Sequence, residues 1–87
     1  KELSEWMIGL RQVMSQMERP VGRALYFRYQ RDLSALECAE ALNCSVRTFF
    51  RLRHIGLTAV RHYMERTELG KRMISNGTDC AVHRYFK

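Results

Sequence analysis

Arg47, Thr48 and Arg51 stand close together in a part of the chain that holds no carboxylate. A guanidinium group can donate two hydrogen bonds to the O6 and N7 atoms of guanine, and this is the commonest specific contact to DNA. A threonine hydroxyl can bond to a base edge or to a phosphate. Residues of these types at the start of a helix therefore predict base contacts in a major groove.

A longer polar stripe continues from these residues. At 3.6 residues per turn, one side of a helix would carry side chains spaced four, three, four and three apart, namely Arg47, Arg51, His54, Thr58 and Arg61. The opposite side would carry Phe49, Leu52, Gly56, Ala59, Val60 and Tyr63. Polar and basic groups beside base-reading residues suit phosphate contacts, which position a protein on DNA without reading its sequence. We predict this role for Ser45, Arg53, His54 and Arg61.

A short helix is predicted in front of the stripe, over 35–42. Ser34 and Glu37 have the spacing of a capping box, which marks the start of a helix. The inner face of this helix would carry Leu36, Ala39 and Leu42. Asn43 then suits the left-handed residue that ends a helix.

The stripe itself lies on a second helix, predicted over 46–66 with Ser45 as its cap. Gly56 in mid-helix costs about 1 kcal/mol relative to alanine. A close crossing with one of the first two helices, or a local bend, would explain it. A short helix, a tight turn and a longer helix that opens with arginines are typical of a helix-turn-helix.

The rest of the chain predicts a small all-α fold. An apolar stripe indicates an amphipathic first helix over 2–18, formed by Leu3, Trp6, Leu10, Val13 and Met17. Pro20 suits the first turn of a second helix over 20–30. The residues 67–87 are less regular, and an Asn-Gly pair at 76–77 is compatible with a short hairpin or with a loop followed by a helix.

These elements predict a bundle of four helices with a helix-turn-helix over 1–66, and a basic extension over 67–87 that packs on it or beside it. The net charge is +6. Residues 1–40 hold six basic and six acidic side chains, whereas none of the residues 41–64 is acidic. A basic half beside a neutral one indicates a face that meets a polyanion.

Three cysteines and the lack of a secretory leader or apolar span predict a reducing, cytoplasmic location, without disulfides or membrane contact. Cys38, Cys44, Cys80 and His83 lack a close Cys-x-x-Cys pair, so a zinc site is disfavoured. There is also no carboxylate pair on the basic face, no glycine-rich phosphate loop and no nucleophile beside a base. We therefore expect neither an enzyme nor a cofactor.

The residues from Ala24 to Ala59 resemble the fourth conserved region of bacterial sigma factors. The resemblance is carried by Arg28-Tyr29, Leu33-Ser34, Glu37, Ala39-Glu40 and Ser45-Val46-Arg47-Thr48. The run from Arg47 to Arg53 is more similar to small phage regulators of the ArpU and RinA kind, which often have Arg-Thr-aromatic-aromatic-Arg there. Phe50 departs from the sigma pattern, where this residue is usually polar.

The resemblance implies promoter or operator DNA as the partner, contact with RNA polymerase, and DNA-facing positions at Ser45, Arg47, Thr48 and Arg51. It favours a regulator of a phage or mobile element over a complete sigma factor. It implies nothing about the first helix or the residues 67–87.

We therefore predict a sequence-specific transcription regulator that binds double-stranded DNA. The alternative is a module that binds RNA polymerase or a sigma factor and redirects transcription. In that case the candidate contact residues are Trp6, Leu10 and Phe50, although Phe50 could also touch a thymine methyl or, as we favour, pack under the C-terminal extension. The first helix could pair with a second copy of the chain or be buried in its own core.

Overall fold

Six helices follow one another in the computed structural model, which describes residues 2–74 and 77–86 and all of their side chains except those of 2–6, 73, 74 and 80. They are α1 (Glu2–Ser15), α2 (Arg19–Leu25), α3 (Ala35–Leu42), α4 (Val46–Met64), α5 (Glu68–Ile74) and α6 (Thr78–Phe86). A π-helical segment, Tyr26–Gln30, continues α2 without a break. No strand occurs in the described residues, so the predicted all-α class is confirmed.

The helical alternative for the C-terminal residues is confirmed and the hairpin is wrong, because α5 and α6 lie there beside the four helices predicted over 1–66. The apolar spacing in α6 explains this result. Ala81 and Val82 are fully buried, while Tyr85 and Phe86 pack partly buried against the same cluster. A stripe with this helical spacing buries more apolar surface than the weak alternation around it could bury in a hairpin.

The core consists of two clusters. The larger one joins α1, α2, α4 and α6 through Leu10, Leu25, Tyr29, Val60, Met64, Ala81 and Val82. The smaller one joins α2, α3 and α4 through Ala24, Cys38, Ala39 and Phe49. Since α6 supplies two residues to the larger cluster, the C-terminal residues are packed into the fold together with the helix-turn-helix.

The inner face of α3 differs from the prediction at Leu36, which is 60% exposed. The stripe that faces the smaller cluster has the spacing i, i+3, i+4 and i+7 and consists of Ala35, Cys38, Ala39 and Leu42. Leu36 lies off this stripe, and Cys38 takes the inner position. The small side chains at 38 and 39 let α3 lie close to α4.

The ends of two helices, and the geometry of a third, also differ from the sequence prediction. α1 ends at Ser15 rather than at 18, and the Met17 amide donates to the Met14 carbonyl in a tightened last turn. α4 ends at Met64 rather than at 66. The second helix reaches residue 30 as predicted but changes to π-helical geometry after Leu25.

Gly56 is the point at which α4 crosses α2. A Cβ atom on Gly56 would lie 2.8 Å from Cδ1 of Leu25 and 3.1 Å from Cγ1 of Val21. Both of those side chains are buried. The close crossing therefore accounts for the glycine, and the helix that α4 approaches is the second one.

Candidate nucleic-acid interface

Local hydrogen bonds form α3, the turn and the start of α4. The Ser34 hydroxyl accepts from the Glu37 amide at 3.2 Å, and the Glu37 carboxylate accepts from the Ser34 amide at 2.9 Å, so the predicted capping box is present. Asn43 ends α3 in the left-handed conformation with φ of 56°. The Cys44 amide donates to the Ala39 carbonyl at 3.0 Å, and Ser45 returns to extended backbone. The turn between the two helices is thus the three residues 43–45.

The capping box also affects the charge of Glu37. The hydrogen bond from the Ser34 backbone, followed by the one with its side chain, lowers the pKa of the Glu37 carboxyl. Glu37 therefore stays ionised in the first turn of α3, where a negative charge is favoured by the helix dipole.

Phe49 fixes α4 against α3. Its side chain is fully buried beside Cys38 and Ala39 in the smaller core cluster. With Phe49 turned inward, the residues on the opposite side of the first turns of α4 point to solvent. The core contact therefore determines which side chains α4 presents.

Arg47 and Arg51 lie on that outer side, and both are exposed. Across the described residues, neither guanidinium makes a hydrogen bond or an ion pair. His54 and Thr58 are also exposed and continue the stripe toward Arg61. The structure thus brings the predicted stripe together on one side of α4.

Ser45 and Thr48 lie at the start of α4 but bond to each other. The Ser45 hydroxyl accepts from the Thr48 amide at 3.1 Å and donates to the Thr48 hydroxyl at 3.0 Å. Ser45 therefore caps α4, as predicted. Thr48 is only partly exposed and lines a cleft beside the start of α2, so it sits at the flank of the stripe rather than on it.

Arg53 differs from its predicted role as a phosphate contact. Its Nε donates to the Tyr29 hydroxyl at 3.2 Å, and its Nη2 lies 3.2 Å from Oδ2 of Asp79. The Tyr29 hydroxyl donates in turn to Oδ1 of Asp79 at 3.0 Å. This network joins the π-helical segment, α4 and α6 and holds the guanidinium, so Arg53 lies outside the candidate interface.

Tyr29 is the buried member of the network, and the residue is only 1% exposed. Burial raises the pKa of the Tyr29 phenol, and the hydrogen bond from Arg53 offsets part of this rise. The phenol therefore stays neutral near neutral pH and can donate to the Asp79 carboxylate.

Arg61 and His54 line a cleft of about 440 Å³ between α4 and the start of α6. Nε of Arg61 lies 3.6 Å from Oε2 of Glu65, and both side chains are more than half exposed. An exposed pair of this kind contributes little to stability, about 0.2–1 kcal/mol. Arg61 can therefore exchange Glu65 for a phosphate at small cost.

Two arginines outside the predicted set also lie near the start of α4. Arg19 and Arg23, both exposed, line a cleft of about 410 Å³ together with Thr48. Cζ of Arg23 lies 5.5 Å from the ring centre of Phe27. The packing of α2 on α4 creates this neighbourhood, and no local spacing in the sequence signals it.

The three residues proposed from the sequence for protein contacts have different outcomes. Leu10 is fully buried in the larger core cluster, so its prediction as a surface contact is wrong. Phe50 is 50% exposed, so the favoured packing under the C-terminal extension is wrong as well. The side chain of Trp6 lies outside the described residues.

Neither a metal cluster nor a membrane span is found in the part of the chain that the structure describes. The Cys38 thiol is buried and donates to the Leu33 carbonyl at 3.7 Å. Burial raises the pKa of this thiol, which keeps it protonated, whereas zinc binds the thiolate. The side chain of Cys80 is among those not described.

Comparison with known proteins gives no relative for this chain. No family model matches it, and neither does a curated protein or a solved structure. The resemblance to sigma region four therefore stays a prediction, and the function has to be argued from the geometry of α3, the turn and α4.

Proposed function

We propose that this protein is a sequence-specific, DNA-binding transcription regulator that inserts the start of α4 into the major groove. The observation that carries the proposal is the exposure of Arg47 and Arg51 on the first two turns of a capped helix, with no carboxylate bound to either among the described residues. A pair of unneutralised guanidinium groups at that place suits the guanine edge.

The dimensions of α4 support a division of roles along the helix. Its 19 residues span about 28 Å, whereas the major groove is about 12 Å wide. Arg47 and Arg51 fall within the first two turns, while Arg61 lies about 21 Å farther along the axis than Arg47. We therefore assign base contacts to the two early arginines and phosphate contacts to His54 and Arg61.

Positive charge beside α4 supports the same orientation. Arg19 and Arg23 flank the start of the helix next to Thr48, where a groove-bound helix would pass between phosphates. Ser45 lies at the N-terminus of α4, and a helix N-terminus attracts phosphate oxygens through its backbone amides. We therefore keep Ser45 as a phosphate contact. The predicted kinship with sigma region four and with phage regulators agrees with this assignment.

The test is selection of duplexes from a random pool, followed by binding measurements at two salt concentrations. Arg47→Ala or Arg51→Ala should weaken binding to the selected site by about 1–3 kcal/mol and relax the preference at one base pair. Arg11→Ala, which removes an exposed arginine from α1, is the matched control and should leave that preference unchanged.

The symmetry of the selected sites also reports whether two copies bind, because half-sites are then spaced by a helical turn. Failure to bind any duplex at low salt would refute the proposal.

A second candidate function is contact with RNA polymerase. It is favoured by a mainly apolar groove of about 370 Å³ beside α4. The groove is lined by Val13, Met17, Val21, Leu52, Ile55 and Ala59, with Gln16 and Glu18 as its polar members. Ile55 is 47% exposed in this groove, which suits an apolar side chain from a partner. Ile55→Gln, which makes the groove polar without adding a charge four residues after Arg51, should weaken binding to purified bacterial RNA polymerase and leave DNA binding unchanged. Retention of polymerase by this variant would speak against the groove.

A further inference from the structure

Phe50 is a half-exposed aromatic residue on the polar side of α4. It follows Arg47 by three residues and precedes His54 by four, so its side chain shares their side of the helix. The adjacent Phe49 is fully buried, and the two ring centres lie 5.6 Å apart with the planes tilted by 49°. The exposed ring is therefore paired with a buried one.

The surroundings of Phe50 set it apart from other exposed apolar residues. Elsewhere in the described residues, the large apolar side chains with substantial exposure are Ile8, Tyr26, Leu36 and Ile55. Of these, Ile55 lies on α4 and follows Arg51 by four residues, but it lines the apolar groove with Val13 and Leu52, whereas Phe50 does not. Single exposed apolar residues are common on protein surfaces, but an apolar ring among guanidinium groups on the first turns of this helix has a specific use if α4 enters DNA.

We propose that Phe50 recognises thymine through its C5-methyl group, an inference that rests on the proposed function. Each base pair presents hydrogen-bonding groups in the major groove, and thymine adds a methyl group there that phenylalanine can contact. Phe50 lies about 6 Å along the axis from the first residue of α4, which is within the depth that the groove admits. Arg47 and Arg51 would then read guanine while Phe50 reads a neighbouring thymine.

Charge favours DNA over a protein partner as the occupant of this surface. Arg47 lies one helical turn before Phe50, and neither Arg47 nor Arg51 is neutralised among the described residues, so this side of α4 favours a polyanion. The apolar groove that contains Ile55 is better suited to a protein, and Ile55 lies about 140° around α4 from Phe50.

The experiment removes the C5-methyl group of thymine from the DNA and, separately, the Phe50 ring from the protein. In the duplex selected by the wild-type chain, each thymine is replaced in turn by deoxyuracil, and binding is measured for the wild-type chain, Phe50→Ala and Ile55→Ala. Wild-type binding should weaken about threefold to fivefold at one thymine per bound copy, the effect of one buried methyl group. Phe50→Ala should bind the thymine and uracil duplexes equally, whereas Ile55→Ala should discriminate as the wild type does.

Each result decides the inference. If the wild type binds but no deoxyuracil weakens it, or if Phe50→Ala keeps the same discrimination, Phe50 does not read thymine and the proposed function still stands. If Phe50→Ala loses binding to RNA polymerase and keeps thymine discrimination, the ring serves a protein partner instead. If the wild type binds no duplex, the proposed function fails and this inference fails with it. Phe50→Leu keeps an apolar side chain and should retain part of the discrimination. This result would show that the loss in Phe50→Ala comes from the missing contact and not from unfolding.

Discussion

Arg53 and Asp79 form an ion pair across 3.2 Å that ties the middle of α4 to the first turn of α6. Both residues also bond to the hydroxyl of the buried Tyr29, so the three side chains form a closed triangle. The triangle connects parts of the chain that lie 24 to 50 residues apart. It therefore fixes α6 relative to the helix that carries the candidate interface.

Removal of the Asp79 carboxylate should loosen this connection. Asp79→Ala takes away a partly exposed ion pair and leaves the Tyr29 hydroxyl without its acceptor. We expect the free energy of unfolding to fall by about 1–2 kcal/mol, measured by urea titration followed by circular dichroism. Glu68→Ala removes a carboxylate that is 85% exposed and pairs with Lys71 among the described side chains, so it should cost less than about 0.5 kcal/mol. Equal effects of the two substitutions would contradict a structural role for the triangle.

Two glycines should respond in opposite directions to alanine. Gly56→Ala would place Cβ 2.8 Å from a buried Leu25 side chain, and we expect a net loss of about 1 kcal/mol or more despite the better helix propensity. Gly22 lies in α2, where a Cβ would meet nothing within 4 Å. Gly22→Ala should therefore raise stability by about 0.5–1 kcal/mol. Thermal unfolding of both variants checks the crossing, which would be disproved by stabilisation at position 56.

The capping box of α3 predicts a pH dependence of stability. The pKa of Glu37 is lowered in the folded state by the hydrogen bonds from Ser34. The stabilisation is therefore complete above the ordinary glutamate pKa and is lost as the pH falls through the lower folded value. Glu37→Gln keeps an acceptor for the Ser34 amide but does not titrate in this range, so its difference from the wild type should change on acidification. Urea midpoints from neutral to acidic pH measure this, and a constant difference would rule the effect out.

The capping box of α3 also leads to a prediction at neutral pH, which concerns Ser34. Ser34→Ala removes the acceptor for the Glu37 amide and should lower the free energy of unfolding by about 1 kcal/mol. Ser15 is an exposed serine at the end of α1 whose hydroxyl donates to the Gln12 carbonyl, and Ser15→Ala should be nearly neutral. Urea titration of the two variants compares a capping serine with a non-capping one.

The helix-turn-helix was predictable because its determinants are local. The capping box at Ser34, the left-handed Asn43 and the cap at Ser45 each depend on neighbours within four residues. The bounds of α3 and the first residue of α4 followed from these signals. The exposed stripe on α4 followed from its period, since Phe49 on the opposite side had to be buried.

The features that the sequence did not predict depend on distant contacts. Arg53 was taken as a phosphate contact because Tyr29 and Asp79 are 24 and 26 residues away from it. The packing of α6, and with it the exposure of Phe50, depends on which apolar stripe the C-terminal residues bury. Arg19 joins the start of α4 only through the packing of α2. Spacing within one helix carries no information about such contacts.

The revised role of Arg53 can be tested against that of Arg61. Arg61→Gln removes an exposed guanidinium assigned to a phosphate, so the slope of log K against log salt should become shallower by about 1 while stability changes little. Arg53→Gln breaks the triangle with Tyr29 and Asp79, so it should lower the free energy of unfolding by about 1–2 kcal/mol and leave the slope unchanged. Salt titrations of DNA binding and urea titrations on the same two proteins give both readouts. If Arg53→Gln makes the salt slope shallower, Arg53 contacts DNA after all. If Arg61→Gln leaves the slope unchanged, Arg61 does not contact a phosphate.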